Sequence, residues 1–206
     1  MEAETAQYLF DSAVRSQFAW RQKAARLYKV GIRTLESAAE AKASAEAGCD
    51  GCGRPQTLEE NQAFEEFMLF EVGFFLVALA VENLLKAIWS GRNHASISNV
   101  TNIRKDLDGL ADHDLARLAK RAGISVSDDE ESLMNTLRDC ILWGGRYPTP
   151  LKVSDYQEYL SKGPPTNRFN HGTSIFSIDL PMPPELDMLL ASLIEELKTI
   201  PEENTY

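Results

Sequence analysis

The feature that most constrains this chain is a run of apolar side chains from Phe67 to Val81, broken only by Glu71 and Gly73. Strung along a helix, such a run is apolar nearly all round, so the helix needs neighbours on several sides and belongs at the centre of a bundle. Fifteen residues fall short of the roughly 20 that cross a bilayer, so a buried helix is the expectation. The helix is expected to open at Thr57, because Thr57-Leu-Glu-Glu60 has a hydroxyl at the cap and a carboxylate three residues on. It should continue to about Trp89.

The flanking sequence supplies the neighbours. From Glu4 to about Ala45 there is no proline and only one glycine, Gly31, and good helix formers dominate. Phe10, Val14, Phe18, Leu27, Val30 and Leu35 recur at steps of three or four with some drift, which predicts one long helix, or two with a break near Gly31. Gly48-Cys-Asp-Gly-Cys-Gly-Arg-Pro55 ends it. After a polar loop from Ser90 to Asn102, a helix from about Asp112 to Ala122 carries Leu115 and Leu118 inward and stops at Gly123. Ser127-Asp-Asp-Glu130 is a second capping box, opening a helix through about Trp143 with Leu133, Leu137, Ile141 and Cys140 on its inner side. Gly144-Gly145 ends that helix, and the prolines of Arg146-Tyr-Pro-Thr-Pro150 hold its exit extended. Asp155 to Leu160 reads as a turn or two of helix, and Ser174 to Ile178 as a short strand or extended arm. A final helix from Pro183-Pro184 to about Ile200 turns Leu186, Leu189, Leu190, Leu193, Ile194 and Leu197 inward. The expected fold class is all-α, a single bundle of five or six helices with a long N-terminal helix. It divides along the chain into 1–56, a core of 57–150, and a loop-rich segment with the last helix, 151–206.

The core segment carries a family resemblance. Ala80-Val-Glu-Asn-Leu-Leu-Lys-Ala87 resembles the Glu-x-x-x-Lys helix of the HEPN superfamily, and Asp112-His-Asp-Leu115 with Leu118-Ala-Lys-Arg-Ala-Gly123 resembles its His-Asp-Leu helix. Trp143-Gly-Gly-Arg-Tyr-Pro148 is similar to a turn in some bacterial HEPN-like proteins. The resemblance covers about residues 60–150 and implies a HEPN-like bundle, homodimerisation, and a role in nucleotide or RNA transactions, in stress response or defence. HEPN ribonucleases carry an Arg followed, after four to six residues, by a His. Here Arg92 precedes His94 by two, Arg104 precedes His113 by nine, and Arg168 precedes His171 by three, so that motif is absent.

Within this frame the residues with chemistry to offer are few. Glu82 and Lys86 are four apart on one helix, with the acid N-terminal, the favourable order for an intrahelical pair. They would serve either as that pair or, together with Tyr147, as part of a ligand-binding surface. His113, flanked by Asp112 and Asp114, titrates near neutral pH when unperturbed. With Arg146 it would make a phosphate-recognition pair, the guanidinium forking onto an oxyanion while the imidazole donates or shuttles a proton. The competing structural reading has Asp112 or His113 capping the helix and Arg146 bonding carbonyls freed at a helix end. Cys49 and Cys52 look like one knuckle of a zinc ribbon, but four ligands are usual and no second knuckle exists, so neither metal nor cofactor is expected.

Charge narrows the partners. The 206 residues hold 31 acidic and 21 basic side chains, a formal net charge of −10 that excludes a broad nucleic-acid surface but leaves room for a small anion pocket. Arg92, Arg104, Lys120, Arg121 and Arg146 cluster in mid-chain, where such a pocket is expected. Three cysteines and a start of Met-Glu-Ala-Glu, with neither basic nor apolar leader, point to the cytoplasm and to no membrane association. The reading is a HEPN-like regulatory module binding a nucleotide, RNA or protein partner. The alternative is a metal-independent ribonuclease built on Arg146 and His113, so catalysis stays open.

Overall fold

A computed structural model describes residues 16–48, 69–93, 112–144 and 184–201. They form five α-helices, and no strand occurs among the described residues: α1 (Gln17–Gly48), α2 (Phe70–Arg92), α3 (Leu115–Arg121), α4 (Asp128–Asp139) and α5 (Pro184–Lys198). α4 runs on into a π-helical turn, Cys140–Gly144. The chain is all-α, as the sequence pattern predicts. Phe10, Val14, the Thr57 cap, Cys49, Cys52, Arg104, Arg146, Tyr147 and the segments 155–160 and 174–178 lie outside the described residues.

Contacts divide the chain into two units. One takes α1 through Leu27, Leu79–Arg138, and the chain from Glu185; the other takes Tyr28–Ala78 and Asp139–Pro184. In the second unit α1 and α2 meet at glycines. A Cβ on Gly31 would stand 2.8 Å from Val77 Cγ2 and 3.0 Å from the Gly73 carbonyl oxygen; one on Gly73 would meet Leu35 side-chain carbons at 2.8 Å. Backbone lies against backbone there, as only small residues permit. Leu35, Ala38 and Ala41 continue the buried stripe of α1, and the Phe70 and Phe74 rings pack edge to face at 4.8 Å.

This contact decides between the two alternatives for α1 in favour of one long helix, and corrects part of its expected inner face. The helix passes through Gly31 without a break, because the glycine is there for close packing. The large residues mark the inner face only in part: Leu35 is buried as expected, but Phe18 and Val30 are more than half exposed, while Ala24, Ala38 and Ala41 are buried. The buried positions 17, 24, 31 and 38 keep the helical repeat, filled by small or polar side chains.

In the first unit α2 is buried without interruption from Ala80 to Ile88, including Glu82, Asn83 and Lys86. The all-round burial therefore falls toward the C-terminal side of the apolar run, and Val72 within that run is exposed. α2 also extends to Arg92, beyond the expected loop start at Ser90. It is thus long and apolar enough to pass as a membrane span over Val72–Arg92, but 72% of that window is buried inside the protein.

The short helices follow their punctuation. α3 closes in a Schellman motif: the Gly123 amide donates to Lys120 O and the Ile124 amide to Ala119 O, with Gly123 at φ 72°. α4 opens with the Ser127 capping box, Ser127 N donating to Glu130 Oε2 at 2.7 Å and Glu130 N to Ser127 Oγ at 3.3 Å. Its buried set is Leu133, Met134, Thr136 and Leu137, and Cys140 and Ile141 follow in the π turn. α5 buries Leu186, Leu189, Leu190, Leu193 and Leu197, each contributing roughly 1.5–3 kcal/mol when fully buried. Ile194, expected on that face, is exposed: the other five already fill the inward arc. Arg92 ties three elements together, its Nη1 donating to Ala122 O at the end of α3 and its Nη2 pairing with Glu196 of α5.

Candidate functional site

Helical periodicity places Glu82 and Lys86 on one face of α2, and the fold buries both, at 4% and 5% exposure. Lys86 Nζ donates to Glu82 Oε1 at 2.5 Å. The other carboxylate oxygen, Oε2, lies 2.9 Å from His113 Nδ1. One buried carboxylate thus bridges an ammonium and an imidazole. Lys86 Nζ also sits 5.4 Å from the centroid of the Trp20 ring, so the cation has a π face as well as an anion beside it. The His113 side chain keeps 42% of its surface exposed. With Glu82 ionised, its bond to Nδ1 places the proton there and leaves Nε2 as an acceptor in the neutral ring.

His113 is held by the start of α3. The cap is Asp114, correcting the expectation of Asp112 or His113: Asp114 Oδ1 accepts the Arg117 amide at 3.0 Å, and Asp112 Oδ1 accepts the Asp114 amide at 3.0 Å. His113 therefore sits within a small hydrogen-bonded turn whose geometry two aspartates fix. These two acids flank His113 in sequence but turn their charge elsewhere. Asp112 Oδ2 meets Arg117 Nε at 3.2 Å and Arg121 at 3.8 Å; Asp114 Oδ2 meets Arg117 Nη2 at 3.0 Å and Arg138 at 3.9 Å. Burial pushes the Asp114 carboxyl up, but the Arg117 amide and guanidinium bonds and the charges of Arg117 and Arg138 outweigh it and hold the group below its ordinary range. The bond to Asp114, with the Asp112 and Asp114 charges, raises Arg117 in turn.

Of the residues singled out from sequence, the fold brings Glu82, Lys86 and His113 together. It makes Glu82 and Lys86 a buried pair, leaving the imidazole as the accessible member. Arg146 and Tyr147 lie outside the described residues, as do Cys49 and Cys52. Among the described residues no group of three His, Cys, Asp or Glu side chains could hold a metal ion. Of the mid-chain cations, Arg92 and Arg121 are engaged with carboxylates, and Lys120 is exposed. Sequence reasoning missed Trp20, Arg117 and Arg138. Asp114-x-x-Arg117 at a helix start is a readable signal, an acid cap with a cation one turn on. Trp20 and Arg138 had none, since they reach the site from α1 and α4.

A groove of about 840 Å³ runs beside the first turns of α1 and the end of α5, lined in part by Phe18, Arg21, Leu197 and Ile200. It does not include Glu82, Lys86 or His113. No protein-family model matches the chain, and neither characterised proteins nor solved structures yield a match.

Proposed function

We propose that this protein is a cytoplasmic, homodimeric HEPN-like regulatory module that binds a phosphate-bearing ligand, a nucleotide or an RNA, at His113. The observation supporting this reading is the half-exposed imidazole oriented by a buried carboxylate. Such a ring offers Nε2 to an incoming group at fixed geometry, as a hydrogen-bond acceptor when neutral and a donor when charged. The surrounding charge favours an anion. Arg117, Arg121 and Arg138 gather around Asp112 and Asp114, within a chain whose total is −10. Arg146 would supply the guanidinium fork.

The Glu82–His113 pair also favours the second reading, a metal-independent ribonuclease, because a carboxylate-held imidazole is the arrangement of a general base. One experiment separates the two. Wild type, His113→Ala and Arg146→Ala are titrated with labelled RNA oligonucleotides and with nucleotides, and the RNA is then checked for cleavage. Saturable binding weakened at least tenfold by His113→Ala, with intact RNA, supports the binding module. Cleavage abolished by both substitutions replaces it with the ribonuclease. Absence of both binding and cleavage removes both.

A further inference from the structure

We infer that Lys86 is a positioning residue that sets the charge of His113: by neutralising Glu82 from behind, it keeps the exposed imidazole from being captured as a permanent imidazolium. The inference deepens the His113 reading above and rests on it for its functional meaning, though its first test needs no ligand.

The geometry carries it. Glu82 has two oxygens and two partners, Lys86 Nζ on Oε1 and His113 Nδ1 on Oε2. Both Glu82 and Lys86 are almost wholly buried, where charges are poorly screened and a histidine facing a lone anion would bind a second proton strongly. A buried ion pair is seldom retained for stability, because desolvation offsets most of its attraction. Among the described residues the two aspartates of the turn are compensated locally, Asp112 by Arg117 and Arg121, Asp114 by Arg117 and Arg138. Lys86 is thus the cation placed to decide how much of the Glu82 charge the imidazole feels. The Trp20 ring at 5.4 Å gives the ammonium a second favourable contact and confines it on the carboxylate side.

The test is a pH titration of the histidine ring signals by NMR in wild type, Lys86→Met and the double variant Glu82→Gln/Lys86→Met, with His113→Ala assigning the signal. Lys86→Met leaves Glu82 facing the imidazole alone, and the His113 ring should bind its second proton at least tenfold more tightly than in wild type. The double variant removes both charges, keeps an oxygen for Nδ1, and should bind that proton more weakly than wild type. If Lys86→Met fails to fold, Lys86→Gln, which removes the charge and keeps a donor for Glu82 Oε1, is titrated in its place. Lys86→Arg, which keeps the charge, should stay close to wild type. Titration of His113 unchanged in Lys86→Met, shifted oppositely there, or tightened equally in the double variant, overturns the role of Lys86. Shifts as expected, in a protein that binds neither nucleotide nor RNA, leave Lys86's role standing and remove the ligand reading instead.

Discussion

Replacing Glu82 by Ala strips the buried Lys86 ammonium of its counter-charge, and a broken buried pair of this kind costs about 3–5 kcal/mol. Urea unfolding should show that loss for Glu82→Ala. The apolar double replacement Glu82→Leu/Lys86→Leu should lose far less, since it leaves no orphaned charge. Asp114 makes a second prediction at this scale, with a pH sign. Its carboxyl sits below the ordinary 3.8 in the folded protein, so the folded state holds fewer protons than the unfolded one as acid is added. Its contribution is fully present above the unfolded value and is lost as pH falls through the folded one. Asp114→Ala should therefore cost about 1 kcal/mol at neutral pH, as a lost cap does, and the gap to wild type should narrow below pH 3.8. Thermal melts across that range measure it. The Glu82–Lys86 spacing was legible from one helix period. That His113 would take the second carboxylate oxygen was not, because the two are 31 positions apart and only the tertiary fold joins them.

Between elements, the glycines rank by what a methyl group would strike. At Gly31 the added carbon meets the Gly73 carbonyl oxygen and the Val77 amide nitrogen, each at 3.0 Å, as well as Val77 Cγ2. Backbone cannot rotate away, so α1 and α2 must separate. Alanine gains up to about 1 kcal/mol of helix propensity over glycine, against roughly 1–3 kcal/mol for overpacking. Gly31→Ala should be net destabilising in a urea titration. At Gly91 the atoms in the way are side-chain ends, Ile200 Cγ2 and the Gln17 amide, which can shift. Gly91→Ala should come out milder than Gly31→Ala, and the reverse order would show that the close approach of α1 and α2 is not rigid. The same contrast explains which elements could be read in advance. The end of α3 and the start of α4 are local chemistry, written in Gly123, Ser127 and Glu130 within a few residues of where they act. The inner face of α1 is not local: Phe18 and Val30 look like core yet are exposed, while Gly31 and Ala38 turn inward beside Leu35. Hydrophobicity alone ranks these the wrong way round when the neighbouring backbone comes this close.

For the whole molecule, the electrostatic question is how a chain of net charge −10 could attract a phosphate. A broad surface would need many unpaired cations, and association would then weaken steeply with salt, log K falling by about 0.7 per phosphate contact for a single strand. Several of the described cations are arranged otherwise. Arg92 is committed to Ala122 O and Glu196, Lys198 to Glu195, and Arg117, Arg121 and Arg138 to Asp112 and Asp114. The guanidinium groups around Asp112 and Asp114 are already shared with those carboxylates and can neutralise only one or two phosphates of a ligand at His113. An RNA or nucleotide bound there should show a shallow dependence, log K against log salt having a slope no steeper than about −1.5. Its affinity should also change little with oligonucleotide length beyond the first few residues. Fluorescence anisotropy of short and long single strands between low and high salt measures both quantities. A slope near that of an extended basic groove, or affinity growing steadily with length, would place the contacts on a different face and take His113 out of ligand recognition.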